Sequence, residues 1–184
     1  MSDVARSNAP VTTRWEDYTP WEIAEHLLAT HHTFTWSELA RLGTLIEQLG
    51  ASADVSAARD LAALFGPFRA DLEAHLEREE AMLFPWIGGL RIAEAEGTSA
   101  ERGPFATVQE PLAATRSEHD EALTLLSRMR QRIARRDAPD RASPAWTALD
   151  EGLHALERDL REHFRLEDEI LGPMLVTFER VLVG

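Results

Sequence analysis

Two stretches of this chain end in the same pattern. "DLEAHLEREEAMLFPWI" (71–87) lies over "DLREHFRLEDEILGPML" (159–175), with the shared skeleton D-L-x-x-H-x-x-x-E-acid-x-apolar-L-x-P. Each copy sets a His four residues before a Glu: His75 with Glu79, and His163 with Glu167. On a helix that spacing is one face. Imidazole and carboxylate together are metal ligands, so the chemistry on offer is cation binding. Each copy also has a second His at matched distance upstream. His32 lies 43 residues before His75, and His119 lies 44 before His163. The chain therefore reads as two helical hairpins, each with one His on its first helix and H-x-x-x-E on its second. Packed about a pseudo-two-fold axis, they bring all four His to one level.

A single H-x-x-x-E is common in a Glu-rich helical chain, and a lone core His is usually just hydrogen-bonded. The repetition and the shared inward face favour a metal site. By helical periodicity His32 shares its stripe with Leu28, Trp36, Leu39 and Ile46, and His75 with Leu64, Phe68, Leu72 and Met82. His119 lies with Leu112, Leu123, Leu126 and Ile133, and His163 with Leu156, Leu160 and Ile170. Four imidazoles and two carboxylates facing an apolar core are costly unless paired or metal-bound.

Without thiolate, this ligand set suits iron, manganese or zinc. Six inward ligands are too many for one tetrahedral zinc. They suit two octahedral ions if Glu79 and Glu167 both bridge, each ion then taking two His, two carboxylate oxygens and a bridging oxide or hydroxide. One position per ion remains for a small ligand, with Trp36 and Leu123 expected beside it. Asp71 and Asp159 stand where they can accept the outer ring N–H of a ligating His. Glu25 is a further candidate for that role. Glu80 and Asp168 are expected on the surface, and His26 and His154 read as structural. His31 flanks the inward stripe, as the alternative to His32 or an extra ligand.

These residues need long helices to carry them. Thr19-Pro20-Trp21-Glu22 is a capping box with Pro at the first helical position, so a helix is predicted from there to about Leu49. A second is predicted over Ser56 to Leu83, interrupted at Gly66-Pro67 and ended by Pro85. "GGLRIAEAEGTSAERG" then reads as a linker with at most one short helical turn. A third helix runs from near Pro111 to about Arg136. A fourth, capped by Ser143 with Pro144 in its first turn, ends by Pro173, and a short C-terminal helix covers 174–182. No strand-like alternation occurs. The fold class is all-α: an antiparallel four-helix bundle over 19–184, with 1–18 as a flexible lead-in.

The composition agrees and excludes other classes. The 184 residues carry a net charge of −13, which disfavours nucleic acid and anionic membranes as partners. The absence of cysteine removes disulfide scaffolds, iron–sulfur clusters and thiol catalysis. No apolar run is long enough to span a bilayer and no signal core is present, so the expected compartment is the cytoplasm.

At these motifs the chain resembles the hemerythrin-like (HHE cation-binding) superfamily, most of all the di-iron domain of the RIC proteins, which repair iron centres after nitrosative and oxidative stress. "HLEREEAMLFPWI" is similar to that family's H-x-x-x-E-E-x-x-L-F-P, and "PLAATRSEHDEALTLL" to its P-(seven residues)-H-D-E-A. "EHFRLEDEILGPML" matches its second H-x-x-x-E, and "IAEHLLATHH" its first-helix segment, with His31 where Tyr is usual. The resemblance covers about residues 20–176. It implies a left-handed four-helix bundle holding two iron ions, oxo- or hydroxo- and carboxylate-bridged. The ligands it implies are His32, His75, Glu79, His119, His163 and Glu167.

Three positions depart from the relatives. "LGASADVS" lacks the further His that RIC proteins carry past the first helix, and Leu123 replaces a second third-helix His of hemerythrins. "ILGP" replaces a second "LFP", which is expected to open space beside Glu167. The paired-cysteine segment of many RIC proteins is not among these residues, which favours the wider class of hemerythrin-like proteins. The expected function is binding of, or reaction with, O2, NO or peroxide in a stress response, with any turnover slow. The alternative is an iron-binding or iron-donor module.

Overall fold

The computed structural model describes residues 14–51, 55–135 and 143–183. Most of the predicted lead-in and of the loop before Ser143 lie outside these. A 3-10 turn (Trp15–Asp17) precedes the first helix. Among the described residues there is no strand.

The first long helix is α1 (Pro20–His26), a π-helical turn π1 (Leu27–His32) and α2 (Thr33–Gly50). It starts at the capping box. The Thr19 hydroxyl accepts from the Glu22 amide and the Glu22 carboxylate accepts from the Thr19 amide, at 2.8 Å, a motif that contributes about 1 kcal/mol. The second helix is α3 (Val55–Arg78), π2 (Glu79–Leu83) and α4 (Phe84–Glu96). The third is α5 (Gln109–Ala134). The fourth is α6 (Pro144–Arg165), π3 (Leu166–Leu171) and α7 (Gly172–Leu182).

Several predicted boundaries move. Pro67 sits inside α3 without ending it. Pro85 and Pro173 do not end their helices; each follows a π turn. A proline removes one backbone donor and crowds the carbonyl one turn back. In a π turn the bonds reach five residues back instead: Phe84 N–H bonds to Glu79 O, and Gly172 N–H to Glu167 O. The wider turn accommodates the proline that follows. The predicted linker after Pro85 is therefore helical to Glu96, where Gly97 closes it at φ +64°, a conformation that favours glycine. The predicted short C-terminal helix is present as α7, following π3 without a break. Ser143 occupies the cap position of α6, but its side chain makes no capping bond.

Helix α2 packs on α3, α3 on α5, α5 on α6, and α6 back on α2, closing the antiparallel four-helix bundle. At the other end α4 packs against α1 and α7. The apolar core is split in two. One part, including Leu42, Phe68, Leu126 and Leu156, fills the α2–α3–α5–α6 end. The other, including Ile23, Leu90, Leu166 and Leu175, fills the α1–α4–α7 end. Between them lies a layer of buried His and Glu.

The π turns also shift the predicted faces, because each inserts one extra residue. Leu28 and Met82, expected on the inward stripe, are exposed. Their neighbours Leu27 and Leu83 are buried instead, and Leu171 is more buried than Ile170. Gly172 opens no space beside Glu167. A Cβ there would lie 3.0 Å from the Glu167 carbonyl oxygen, so the backbones are already in close approach.

Candidate metal centre

The polar layer consists of the six predicted residues together with His31. His32, His75, His119, His163, Glu79 and Glu167 are each at most 4% exposed. They come from all four long helices. Glu79 opens π2 and Glu167 lies in π3, so the widened turns carry both carboxylates. His32 closes π1.

The six side chains form two groups joined by carboxylates. Glu79 Oε2 lies 3.4 Å from His32 Nε2 and 3.5 Å from His75 Nε2. Glu167 Oε1 lies 2.8 Å from His163 Nε2, and its Oε2 lies 3.1 Å from His119 Nε2. The rings of His32 and His163 are 5.0 Å apart between centroids, as are those of His75 and His119. Donor atoms of His32, Glu79, His163 and Glu167 fall within 4.8 Å of one another, and so do those of His75, His119 and Glu167. Each carboxylate thus lies between one imidazole of each pair.

Hydrogen bonding alone leaves this arrangement incomplete. Nε2 of His32, His75 and His119, both oxygens of Glu79 and Oε2 of Glu167 are buried without a hydrogen-bond partner. Each such group carries a desolvation penalty of about 1–3 kcal/mol. Their lone pairs converge on the same space, so cations placed there satisfy them together. The donor set, imidazole and carboxylate, fits iron.

Without a metal, the neighbouring carboxylates favour the protonated form of two of the rings. Burial lowers the His119 pKa, but Asp168 and Glu167 outweigh it and raise it to about 9. For His32, burial is likewise outweighed by Glu79 and Glu80, leaving the ring above its ordinary value. Burial raises Glu167, but His163 and His119 hold its carboxyl well below the usual range.

The outer ring nitrogens have specific partners. His32 Nδ1 lies 2.9 Å from Glu80 Oε1, which also accepts from Trp36 Nε1 at 3.1 Å. His75 Nδ1 lies 2.9 Å from Glu118 Oε2, and His119 Nδ1 lies 3.1 Å from Asp168 Oδ2. Glu80 and Asp168, expected on the surface, are therefore hydrogen-bonded to the site. They are the acid repeated in both copies of the skeleton, which was the signal for them. Glu118 was missed altogether, because the first hairpin has His31 at the matching place. Asp71 is exposed and bonds no histidine, while Asp159 accepts from His31 Nδ1 at 3.0 Å. Glu25 is exposed and pairs with Arg91. His31 is buried and stacks on His163, centroids 5.5 Å apart. His26 lies outside the six, against Trp15 and His31. His154 is also elsewhere, beside Arg130 and Asp150.

A cavity of about 220 Å³ between α3 and α5 reaches the layer at His75 and His119. Phe68, Leu72, Ala122 and Phe164 line it, and Asp71, Arg78 and Glu118 also border it. Phe164 lies flat on His119, centroids 3.7 Å apart. Trp36 and Leu123, expected beside the approach, do not line this cavity. Trp36 is bonded to Glu80, and Leu123 packs on the core of the α2–α3–α5–α6 end.

Comparison with known proteins agrees with this geometry. The Hemerythrin HHE cation binding domain matches residues 24–175. Iron-sulfur cluster repair protein YtfE of Enterobacter sp. (strain 638) is 27% identical over 92% of this chain and 72% of its own length. The protein of the same name from Escherichia coli O81 (strain ED1a) gives the same figures. No helix among the described residues is long and apolar enough to cross a membrane.

Proposed function

The chain belongs to the Hemerythrin HHE cation binding domain family, and from that premise we propose that it is a non-haem di-iron protein of the oxidative or nitrosative stress response that binds or reacts with O2, NO or peroxide. His32 and His163 would hold one iron and His75 and His119 the other, with Glu79 and Glu167 offering a carboxylate to both pairs. The observation that carries this reading is the convergence of buried, unpartnered nitrogen and oxygen atoms from those six residues. When bound, an iron pair supplies open coordination positions and reversible one-electron redox chemistry.

The rest is done by the chain itself. Glu80, Glu118 and Asp168 fix which nitrogen of His32, His75 and His119 faces inward. Phe68, Leu72 and Phe164 form the apolar part of the cavity wall at His75 and His119, with Asp71, Arg78 and Glu118 as its polar part, and a space of this size takes a diatomic or peroxide. The small volume favours ligands of a few atoms over organic substrates.

The names of the relatives favour a second reading, in which the protein holds or donates iron for repair of iron centres without turnover. One experiment separates the two. Protein purified anaerobically is assayed for iron and its optical spectrum followed on addition of NO, then of peroxide. The first reading expects about two irons per chain and a spectrum that changes with either reagent. An iron-loaded protein whose spectrum ignores both leaves only the donor reading.

A further inference from the structure

Three of the four inward histidines have a carboxylate on the outer nitrogen, and His163 does not. His163 is fully buried, yet its Nδ1 has no hydrogen-bond partner. The internal repeat explains the exception. In the repeat His32 matches His119, Glu80 matches Asp168, and His75 matches His163. Glu118, the residue before His119, matches His31, the residue before His32. The position that gives His75 its carboxylate therefore carries an imidazole on the His163 side. His31 lies against His163 with its ring stacked, at an interplanar angle of 21°, and is not bonded to it. The nearby Asp159 is no substitute: one oxygen bonds His31 at 3.0 Å, and the other is buried and unpaired.

We propose that the two metal positions are unequal: the one held by His32 and His163 releases its ion first, and the one held by His75 and His119 retains it. A carboxylate on the outer N–H makes an imidazole more basic and fixes its tautomer, and losing such a partner lowers metal affinity about 10–100-fold. Both imidazoles of the second position are supported in this way, and only His32 in the first. The consequence is one exchangeable ferrous ion per chain, given up while the second stays and keeps the bundle's polar layer together. This inference rests on the six-ligand reading above.

The test uses the 184-residue chain loaded with ferrous iron under argon and mixed with excess bipyridine. Wild type should release iron in two phases of equal amplitude, with rates about 10–100-fold apart. Glu118→Gln should speed the slow phase by about the same factor and leave the fast phase alone. His31→Glu, which places a carboxylate at the repeat-matched position, should slow the fast phase. Should His31→Glu fail to fold, Glu118→Gln decides alone. Release of two irons in a single phase overturns the inference and leaves the six-ligand reading standing, as does a Glu118→Gln protein in which only the fast phase changes. Uptake of fewer than two irons by wild type overturns the six-ligand reading and the inference with it.

Discussion

Asp168 Oδ2 lies 3.1 Å from Nδ1 of His119, a residue 49 positions away in the chain. The contact joins the fourth helix to the third and leaves the other ring nitrogen of His119 facing the metal layer. Asp168→Asn keeps the size of the side chain and removes its charge. Metal affinity should fall about 10–100-fold with the helical content unchanged. Competition with a chelator of known affinity measures the first, and circular dichroism the second. Unchanged affinity would mean that Asp168 is only surface charge after all.

The pH dependence follows from the same pair. The folded pKa of His119 is raised from 6.5 to about 9, so its protonation stabilises the metal-free fold. That contribution is complete below pH 6.5 and is lost as pH rises through about 9. Metal-free protein should lose stability over this window, by at most about 3 kcal/mol, and His119→Gln should flatten the loss. Glu167 works in the opposite sense. Its carboxyl is lowered, so its contribution holds above the ordinary carboxylate value and is lost as pH falls. Metal needs the unprotonated ring, so metal affinity should rise where metal-free stability falls. Urea titrations and metal titrations at the two ends of the window check the opposed slopes.

Much of this was legible in the sequence because the repeat reports on two places at once. His75 with Glu79 and His163 with Glu167 fall on buried faces because a spacing of four survives on any α-helical turn. What failed is what lies within the π turns. The stripe test assumes a constant period, and an inserted residue rotates every later position. Leu28 and Met82 therefore turn outward, and Glu80 and Asp168 turn toward the histidines of another helix. Pro85 and Pro173 read as stops for the same reason. Each lies six residues after a repeated Glu, a regular placement that marks a widened turn followed by proline. Glu118 carried no signal of its own, since its repeat-matched residue, His31, is of another type.

The cavity between α3 and α5 predicts where small ligands enter. Ala122 lines it beside His119, and a phenyl group there fills much of the space. Ala122→Phe should slow azide or NO binding about 10-fold or more, on the order of 1 kcal/mol or more in the entry barrier, with iron content retained. Stopped-flow absorbance reads the rate. Equal rates in variant and wild type would place the entry route elsewhere.

The central claim is that six side chains hold two ions, with Glu79 and Glu167 each shared between both. Metal content per folded chain, measured for wild type and for Glu79→Ala and Glu167→Ala expressed in iron-replete cells, tests it most directly. The account predicts about two irons in wild type and loss of at least one in either variant. Wild-type protein with a single zinc and no iron, or full iron retention in both variants, would contradict it.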